Sequence, residues 1–564
     1  MTSQLHSTNS ISLRPPQQVM KLDRLGSFHQ TRLSFMRAVM RRLKRDNWTF
    51  ECPIWRINEQ GEGVAVYVAK GPERSYSMVC FAHDLDPAKR SDRVIAEAWD
   101  TTFALYDGVI GEDDIERLSQ NVPKQEAGRC LESELVLSRA NKSVRLFEYV
   151  VSELAAGRQP DQTELNKVGY LMRTTAVYGN GKFGIADRTR IQSRPGLSGP
   201  FQAEMLTVWL IRNFTHDLVE HVAQAMAPEK AVKLNKRLKR HLGIGNSTGL
   251  GMAPFLVSHP ILLNNWMMVR ETALARVCAI EKASKASVER TVQLIKRVSA
   301  HLEQWKVPDT QQADRVSILK QEWQELTALC SPEFLEDLSP FSRLIEASGQ
   351  WSLEAQELVV ALVLEPHGEL VDGLTDCMAS DLSPRLDPAM SVAGLEEIIN
   401  ESYQWALDLA VDKPANCKQF WYVSEEKLEP RLGDRFDEAG AELELPHDIA
   451  RQVQALCADI AKFDRQKCTA EFLMRFPQHR HIVRRIQTVA KFPYAEIRDN
   501  LVGEKCLPID MLRCKLSFFG ASKFDPKSDR WTRITMFQGA ALPDDILDTS
   551  KDADDWWLPV LETA

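Results

Sequence analysis

From Asp113 to about residue 470 the apolar residues recur at helical spacing, with Pro and Gly falling between the runs. That period constrains the chain more than any other feature: most of it must pack helix against helix. The runs predict helices over Glu132 to Ala156, Gln202 to Ala225, Leu262 to Ala283, Ser287 to Trp305, Asp314 to Leu329 and Pro446 to Lys462. No fixed-period repeat joins them, so a solenoid is not indicated.

The flanks read differently. Trp48 to Ile57, Val64 to Ala69, Tyr76 to Ala82 and Thr101 to Tyr106 are rich in aromatic and β-branched residues, and turn chemistry at Asn58-Glu59-Gln60-Gly61 and Gly71-Pro72-Glu73-Arg74 separates them as antiparallel hairpins. Near the other end, Met511 to Phe519 and Trp531 to Phe537 predict two strands around Asp525-Pro526-Lys527-Ser528-Asp529. The acidic Asp552 to Trp557 stretch leaves open whether its tryptophans dock. The expected fold class is therefore mainly α with α+β terminal regions: an N-terminal antiparallel-sheet domain, a large helical core and a C-terminal β-hairpin region.

At 564 residues the chain exceeds what one hydrophobic core supports. The expected divisions are a flexible tail over 1–20, an α+β domain over 21–115, a helical domain with Gly-rich loops over 116–310, a helical region over 311–470 and a mixed C-terminal region over 471–564. Hydrophobic residues at 44% and charged residues at 26% suit a packed globular protein.

Asp and Glu number 78 against 70 Lys and Arg, a formal net charge of -8. Coating nucleic acid draws its affinity from phosphate neutralisation and calls for a basic surplus, so nucleic acid is not the expected partner. The 11 cysteines are scattered without C-x-x-C spacing, which fits free thiols in a reducing compartment and no structural metal. Residues 1–18 lack the apolar segment of a signal peptide, and apolar stretches such as Leu358 to Leu364 are too short to span a bilayer. A soluble, cytoplasmic protein with no membrane span is expected.

Two segments concentrate positive charge. Between Leu25 and Arg45, apolar Leu25, Phe28, Leu33, Met36, Met40 and Leu43 alternate with Arg32, Arg37, Arg41, Arg42, Lys44 and Arg45 as in one amphipathic helix. It serves either a partner or membrane surface, or its own domain with the basic face in water. Arg475 to Arg485 adds four arginines and two histidines, a cationic surface or a solvated helix face.

Chemistry has two natural homes. Arg173-Thr174-Thr175-Ala176-Val177-Tyr178-Gly179-Asn180-Gly181-Lys182-Phe183-Gly184 lies between helical stretches, and its glycines let backbone amides approach a carboxylate or phosphate beside Asn180 and Lys182. The alternative is a helix-ending turn. Gly243-Ile244-Gly245-Asn246-Ser247-Thr248-Gly249-Leu250-Gly251 is the second, feeding through Ser258-His259-Pro260 into a long apolar helix. It is not a dinucleotide fingerprint, because Thr248 stands where the third glycine is needed and basic residues 233–241 precede it; nor is it a P-loop, lacking G-K-[ST]. Gly245-Asn246-Ser247-Thr248-Gly249 does match G-x-S-x-G literally, although no series of strand–helix–strand units is expected around it.

Among the 12 histidines, His216 and His221 are five apart rather than the four of a zincin helix. His259 adjoins the second loop, and the helix after it carries Asn264, Asn265, Arg270 and Glu271 among apolar neighbours. Buried polar groups need partners or a cavity. These residues point to an enzyme acting on a small anionic metabolite, carboxylated or phosphorylated, by side-chain acid/base chemistry without metal or cofactor. The catalytic candidates are His259, Tyr178 and Glu271; Arg173, Asn180, Gly181, Lys182, Gly245, Asn246, Ser247, Thr248 and Arg270 are the binding candidates. The competing classes are a non-catalytic interaction protein using its basic helices and a serine hydrolase acting through Ser247. Reaction class and homo-oligomerisation stay open at this level.

Overall fold

Alternation of apolar and polar residues over the first hundred positions produces hairpins, and these begin a sheet that the chain goes on extending almost to its end. The computed structural model describes residues 13–83, 99–124, 131–174, 191–249, 259–378, 384–410, 421–423, 430–432, 446–498, 510–528, 531–548 and 550–561. The strands are β1 (Thr49–Ile57), β2 (Gly63–Lys70), β3 (Ser75–Ala82), β4 (Thr101–Asp107), β5 (Glu134–Lys142), β6 (Tyr170–Thr174) and β7 (Gly243–Gly249), then the short pair β8 (Trp421–Val423) and β9 (Pro430–Leu432), and finally β10 (Lys523–Ser528) and β11 (Trp531–Met536). Nine of them form one sheet in the order β1-β2-β3-β4-β5-β6-β7-β11-β10. All neighbours are antiparallel except β6 and β7, which run parallel.

Local chemistry explains the first turn. Asn58 Oδ1 accepts from the backbone amides of Gln60 and Glu62. Gly63, at φ +131°, leaves no room for a Cβ, which would stand 2.0 Å from the Arg56 carbonyl oxygen. The hairpins therefore form where the sequence predicts them.

The helices that matter below are α1 (Phe35–Arg45), α2 (Glu112–Asn121), α3 (Phe147–Ala155), α4 (Gln202–Met226), α5 (Pro260–Cys278), α6 (Lys285–Gln304), α7 (Leu353–Leu364), α8 (Arg480–Lys491) and α9 (Asp510–Phe519). One face of the sheet, with Ala65, Tyr67, Met78, Cys80 and Phe103, belongs to the main core. Phe214 of α4 meets Phe103, Tyr67 and Trp55 there. The other face, with Val66, Val79, Phe81, Ala104 and Leu137, packs on Ile115 and Leu118 of α2. A parallel pair needs a crossover of a dozen residues or more, and the 25-residue α4 lies within the one joining β6 to β7.

Mixed α/β composition with helix predominating is what the pattern promised, and no described helix is long and apolar enough to cross a membrane. Three readings need correction. The run Glu132 to Ala156 is not one helix: residues 134–142 form β5 and only Phe147–Ala155 are helical, because both faces of that strand are buried and its sequence loses the period-two signature. Met511 to Phe519, read as a strand, lies in helix α9, and the C-terminal hairpin is β10–β11. That hairpin extends the main sheet by pairing with β7, and no local pattern could announce so remote a partner.

The third correction concerns Leu25 to Arg45. Helix runs only from Phe35 to Arg45; within it Arg37 is fully buried while Arg45 is exposed, and Arg32, just before it, is nearly buried. The reason lies in carboxylates brought against them from the C-cap of α7, from Asp372 and from Asp554 near the other end of the chain. Arg37 Nη1 donates to Glu365 Oε2 at 2.8 Å and its Nε to Asp554 Oδ1 at 2.6 Å; Arg41 also binds Asp554 and Arg32 binds Asp372. Glu354 pairs with Arg513 at 2.5 Å. Both chain ends are thus tied to one buried helix, and Trp557 docks beside them with its indole N–H on the Gln30 carbonyl. Breaking a buried pair leaves an uncompensated charge and costs about 3–5 kcal/mol. Arg37→Ala should lower the urea midpoint accordingly; an unchanged midpoint would show the pair to be energetically idle.

Candidate functional site

Because β6 and β7 are parallel neighbours, the segments that follow them leave the sheet at the same end. Gly243–Gly249, expected as a loop, is β7 itself, paired with β6 and β11, so of the second segment's glycines only Gly251 follows the strand. Residues 175–190 follow β6 and 250–258 follow β7; both lie outside the described residues, and with them Tyr178, Asn180, Gly181 and Lys182. The strands beneath them are described, and they carry a row of cations.

Register and burial assign the row to one face. Leu137 packs toward α2, so Arg139 and Asn141 share its side of β5, and Asn141 stands opposite Arg173. Ser138 and Thr174, joined by a 2.8 Å hydroxyl–hydroxyl hydrogen bond, take the other side. On β11, Ile534 and Met536 point into the main core, so Arg533 turns the opposite way, in register with Ser247. Arg173 and Arg533 are 6% and 4% exposed. The Arg139 guanidinium lies 3.5 Å from the Trp99 ring centroid, and burial alone pulls its pKa down to about 10. Asp100 clamps the start of β4 to the end of β5, accepting from the Lys142 amide at 2.8 Å while its own amide donates to Asn141.

The sequence candidates distribute unevenly around this row. Arg173 belongs to it. Gly245 sits in register with Arg173, but its lack of a side chain answers a packing need: a Cβ would stand 2.4 Å from the Tyr170 ring. Asn246 is fully buried on the other face; its Nδ2 donates to the Thr174 carbonyl and its Oδ1 has no hydrogen-bond partner among the described residues. Ser247 and Thr248 lie within β7 itself, as do all five residues of the G-x-S-x-G match. A nucleophile elbow requires a sharp strand-to-helix turn, which this strand is not.

His259 is exposed and occupies the N-cap of α5 immediately after the second segment. Arg270 and Glu271 lie about 16 Å further along that helix at 1.5 Å per residue. They are committed elsewhere: Glu271 accepts from Arg14 at 2.7 and 2.8 Å and from Arg270 at 3.0 Å, while Arg270 also binds Glu357 and covers the Phe28 ring at 4.0 Å. These two polar residues within an apolar helix found partners rather than a cavity.

Of the remaining motifs, His216 is buried and desolvation pulls its pKa well below the usual imidazole value; no group of metal-ligating residues occurs among the described residues. A histidine neutral in the fold but chargeable when unfolded stabilises above the unfolded value near 6.5 and loses that contribution as pH falls below it. Thermal midpoints should therefore decline from about pH 6.5 downward, and the first part of that decline should shrink in His216→Gln. In the 475–485 segment Arg485 grips Glu496 through two hydrogen bonds at 2.6 and 2.9 Å, His479 meets Asp459, and Arg475, Arg480 and Arg484 are exposed.

Sequence reasoning missed Arg139, Arg533, Asp100 and Asn141. Arg533 was legible only as a strand residue opposite in phase to Ile534; that its strand flanks β7 is tertiary information. No family model, curated protein or solved structure matches the chain.

Proposed function

We propose that the protein is an enzyme acting on a small carboxylated or phosphorylated metabolite at the carboxyl end of β6 and β7. One observation carries this reading: the only parallel pair in the described sheet brings the carboxyl ends of β6 and β7 together on one edge, beside buried Arg173 and Arg533. In sheets with parallel strands, ligands bind outside the carboxyl ends, where loops supply side chains and the scaffold stays rigid. In this reading Gly179, Gly181 and Gly184, with Asn180 and Lys182 next to them in sequence and all outside the described residues, supply backbone amides and polar groups to the anion.

His259 is the proton-transfer candidate, since it follows the β7 segment directly and carries the side chain whose ordinary pKa is nearest neutrality. Tyr178 is the alternative proton donor. Glu271 and Arg270 are better explained by their ion pairs with Arg14 and Glu357.

The test is ligand-dependent thermal shift of the whole chain against a panel of carboxylates and phosphates. A bound ligand at a hundred times its dissociation constant adds about 2.7 kcal/mol. Stabilisation by anions supports the reading, and a panel without any effect removes it. Ser247 discriminates the hydrolase: as a binding residue, Ser247→Ala should weaken affinity by about 0.5–1.5 kcal/mol. Covalent labelling of Ser247 by a fluorophosphonate would instead move the function to serine chemistry.

A further inference from the structure

Several buried arginine Nε atoms, those of Arg270 and Arg533 among them, have no hydrogen-bond partner among the described residues, but Arg270 still holds Glu271 and Glu357 through its other nitrogens. Arg37, Arg485 and Arg513 each hold a carboxylate at 2.8 Å or closer. Arg212, with no carboxylate ion-paired to it among the described residues, donates to the carbonyls of Leu242, Ala541, Lys239, Arg240 and Ala540. Arg533 is also buried, yet among the described residues its Nε has no hydrogen-bond partner and its ion pair with Asp525 is stretched to 4.0 Å, too long for a hydrogen bond. Burying a guanidinium without hydrogen-bonded compensation is costly unless something else supplies it.

Its position says what that something is. Arg173 and Arg533 flank β7 on either side, one in register with Gly245 and the other with Ser247. Two strand spacings across and two residues along put their backbones about 12 Å apart on one face. We infer that Arg533 is a second anion anchor of the site at the carboxyl end of β6 and β7, and that the ligand carries two anionic groups, one met by Arg173 and one by Arg533. A short dicarboxylate or a phosphorylated carboxylate has this chemistry. The planar guanidinium suits both groups, since it donates two parallel N–H bonds to a carboxylate or a phosphate. Asp525, on the far side of Arg533 from β7, orients the fork without saturating it.

This rests on the anion-site reading above, and the experiment separates the two. The whole chain is titrated calorimetrically with matched probes: butyrate against succinate, pentanoate against glutarate, and glycerol 3-phosphate against 3-phosphoglycerate. In the wild type at least one two-anion probe should bind about 10–100-fold tighter than its single-anion partner, the gain of one charge-assisted hydrogen-bonded contact. Arg533→Gln should lose that gain while keeping the single-anion affinity, and Arg533→Lys should recover part of it. Circular dichroism and the thermal midpoint establish that each variant is folded; if Arg533→Gln does not fold, the wild-type comparison alone decides. Equal binding of both members of every pair overturns the inference and leaves the anion site standing. A two-anion gain that survives in folded Arg533→Gln makes Arg533 a structural partner of Asp525 and overturns its assignment. Absence of binding by any probe removes the anion site itself.

Discussion

Glu357→Ala should lower the free energy of unfolding by about 3–5 kcal/mol, among the largest effects a single substitution in this chain can have. The carboxylate is fully buried on α7 and gathers three arginines from distant segments: Arg24 donates at 2.6 Å, Arg14 at 3.2 Å, and Arg270 closes the group. Removing it leaves Arg270, itself fully buried, with Glu271 as its remaining acidic partner, and takes one of the carboxylates that hold Arg14 and Arg24. The same carboxylate makes the fold acid-sensitive. Burial alone would raise its pKa, but the three arginines prevail and hold it down to about 2 from 4.5. A depressed carboxylate stabilises above the unfolded value and loses that contribution as pH falls toward about 2, a span of about 3 kcal/mol. Urea titrations at pH 7 and pH 3 read both effects. Were Glu357→Ala to match the wild type at both values, the cluster would be ornamental to stability.

His259→Gln should cut turnover by about 10²–10⁴-fold if proton transfer passes through this imidazole. The turnover profile should also lose an inflection near pH 6.5, the ordinary range of an imidazole. Lys182→Ala, by contrast, should raise the Michaelis constant with turnover largely kept, because an anchor that serves ground and transition states alike contributes uniform binding. The pair of variants separates the roles within one assay, using whichever anion the thermal-shift panel selects. An active His259→Gln with an unchanged pH profile would transfer the proton-transfer role to Tyr178.

Much of the helical body was legible because its signal is local. Gln202–Met226, Lys285–Gln304 and Thr310–Leu329 appear close to where a 3.6-residue period predicts them, and the first hairpins follow Asn58, Gly61, Gly63 and the Gly71–Arg74 turn. Helical burial writes itself into spacing, and tight turns write themselves into Asn and Gly. β5 was lost for the converse reason: a strand buried on both faces looks like any apolar run. Arg32, Arg37 and Arg41 mark the same limit for charge. On a helical projection they form a face made for water, but Glu365, Asp372 and Asp554, hundreds of positions away, take them inside.

The sequence by itself determined a helix-rich protein with hairpins toward both ends; each follows from residues within a few positions of one another. Only the tertiary structure decided that the segments after β6 and β7 leave one end of one sheet and that Gly243–Gly249 is a strand, because both depend on β6 and β7 pairing in parallel around α4. It alone brought β11 against β7, setting Arg533 beside the site, and it alone gave Arg270 and Glu271 to the α7 charge cluster. Partners hundreds of residues apart are selected by shape, burial and charge compensation in three dimensions, and no local period carries that information.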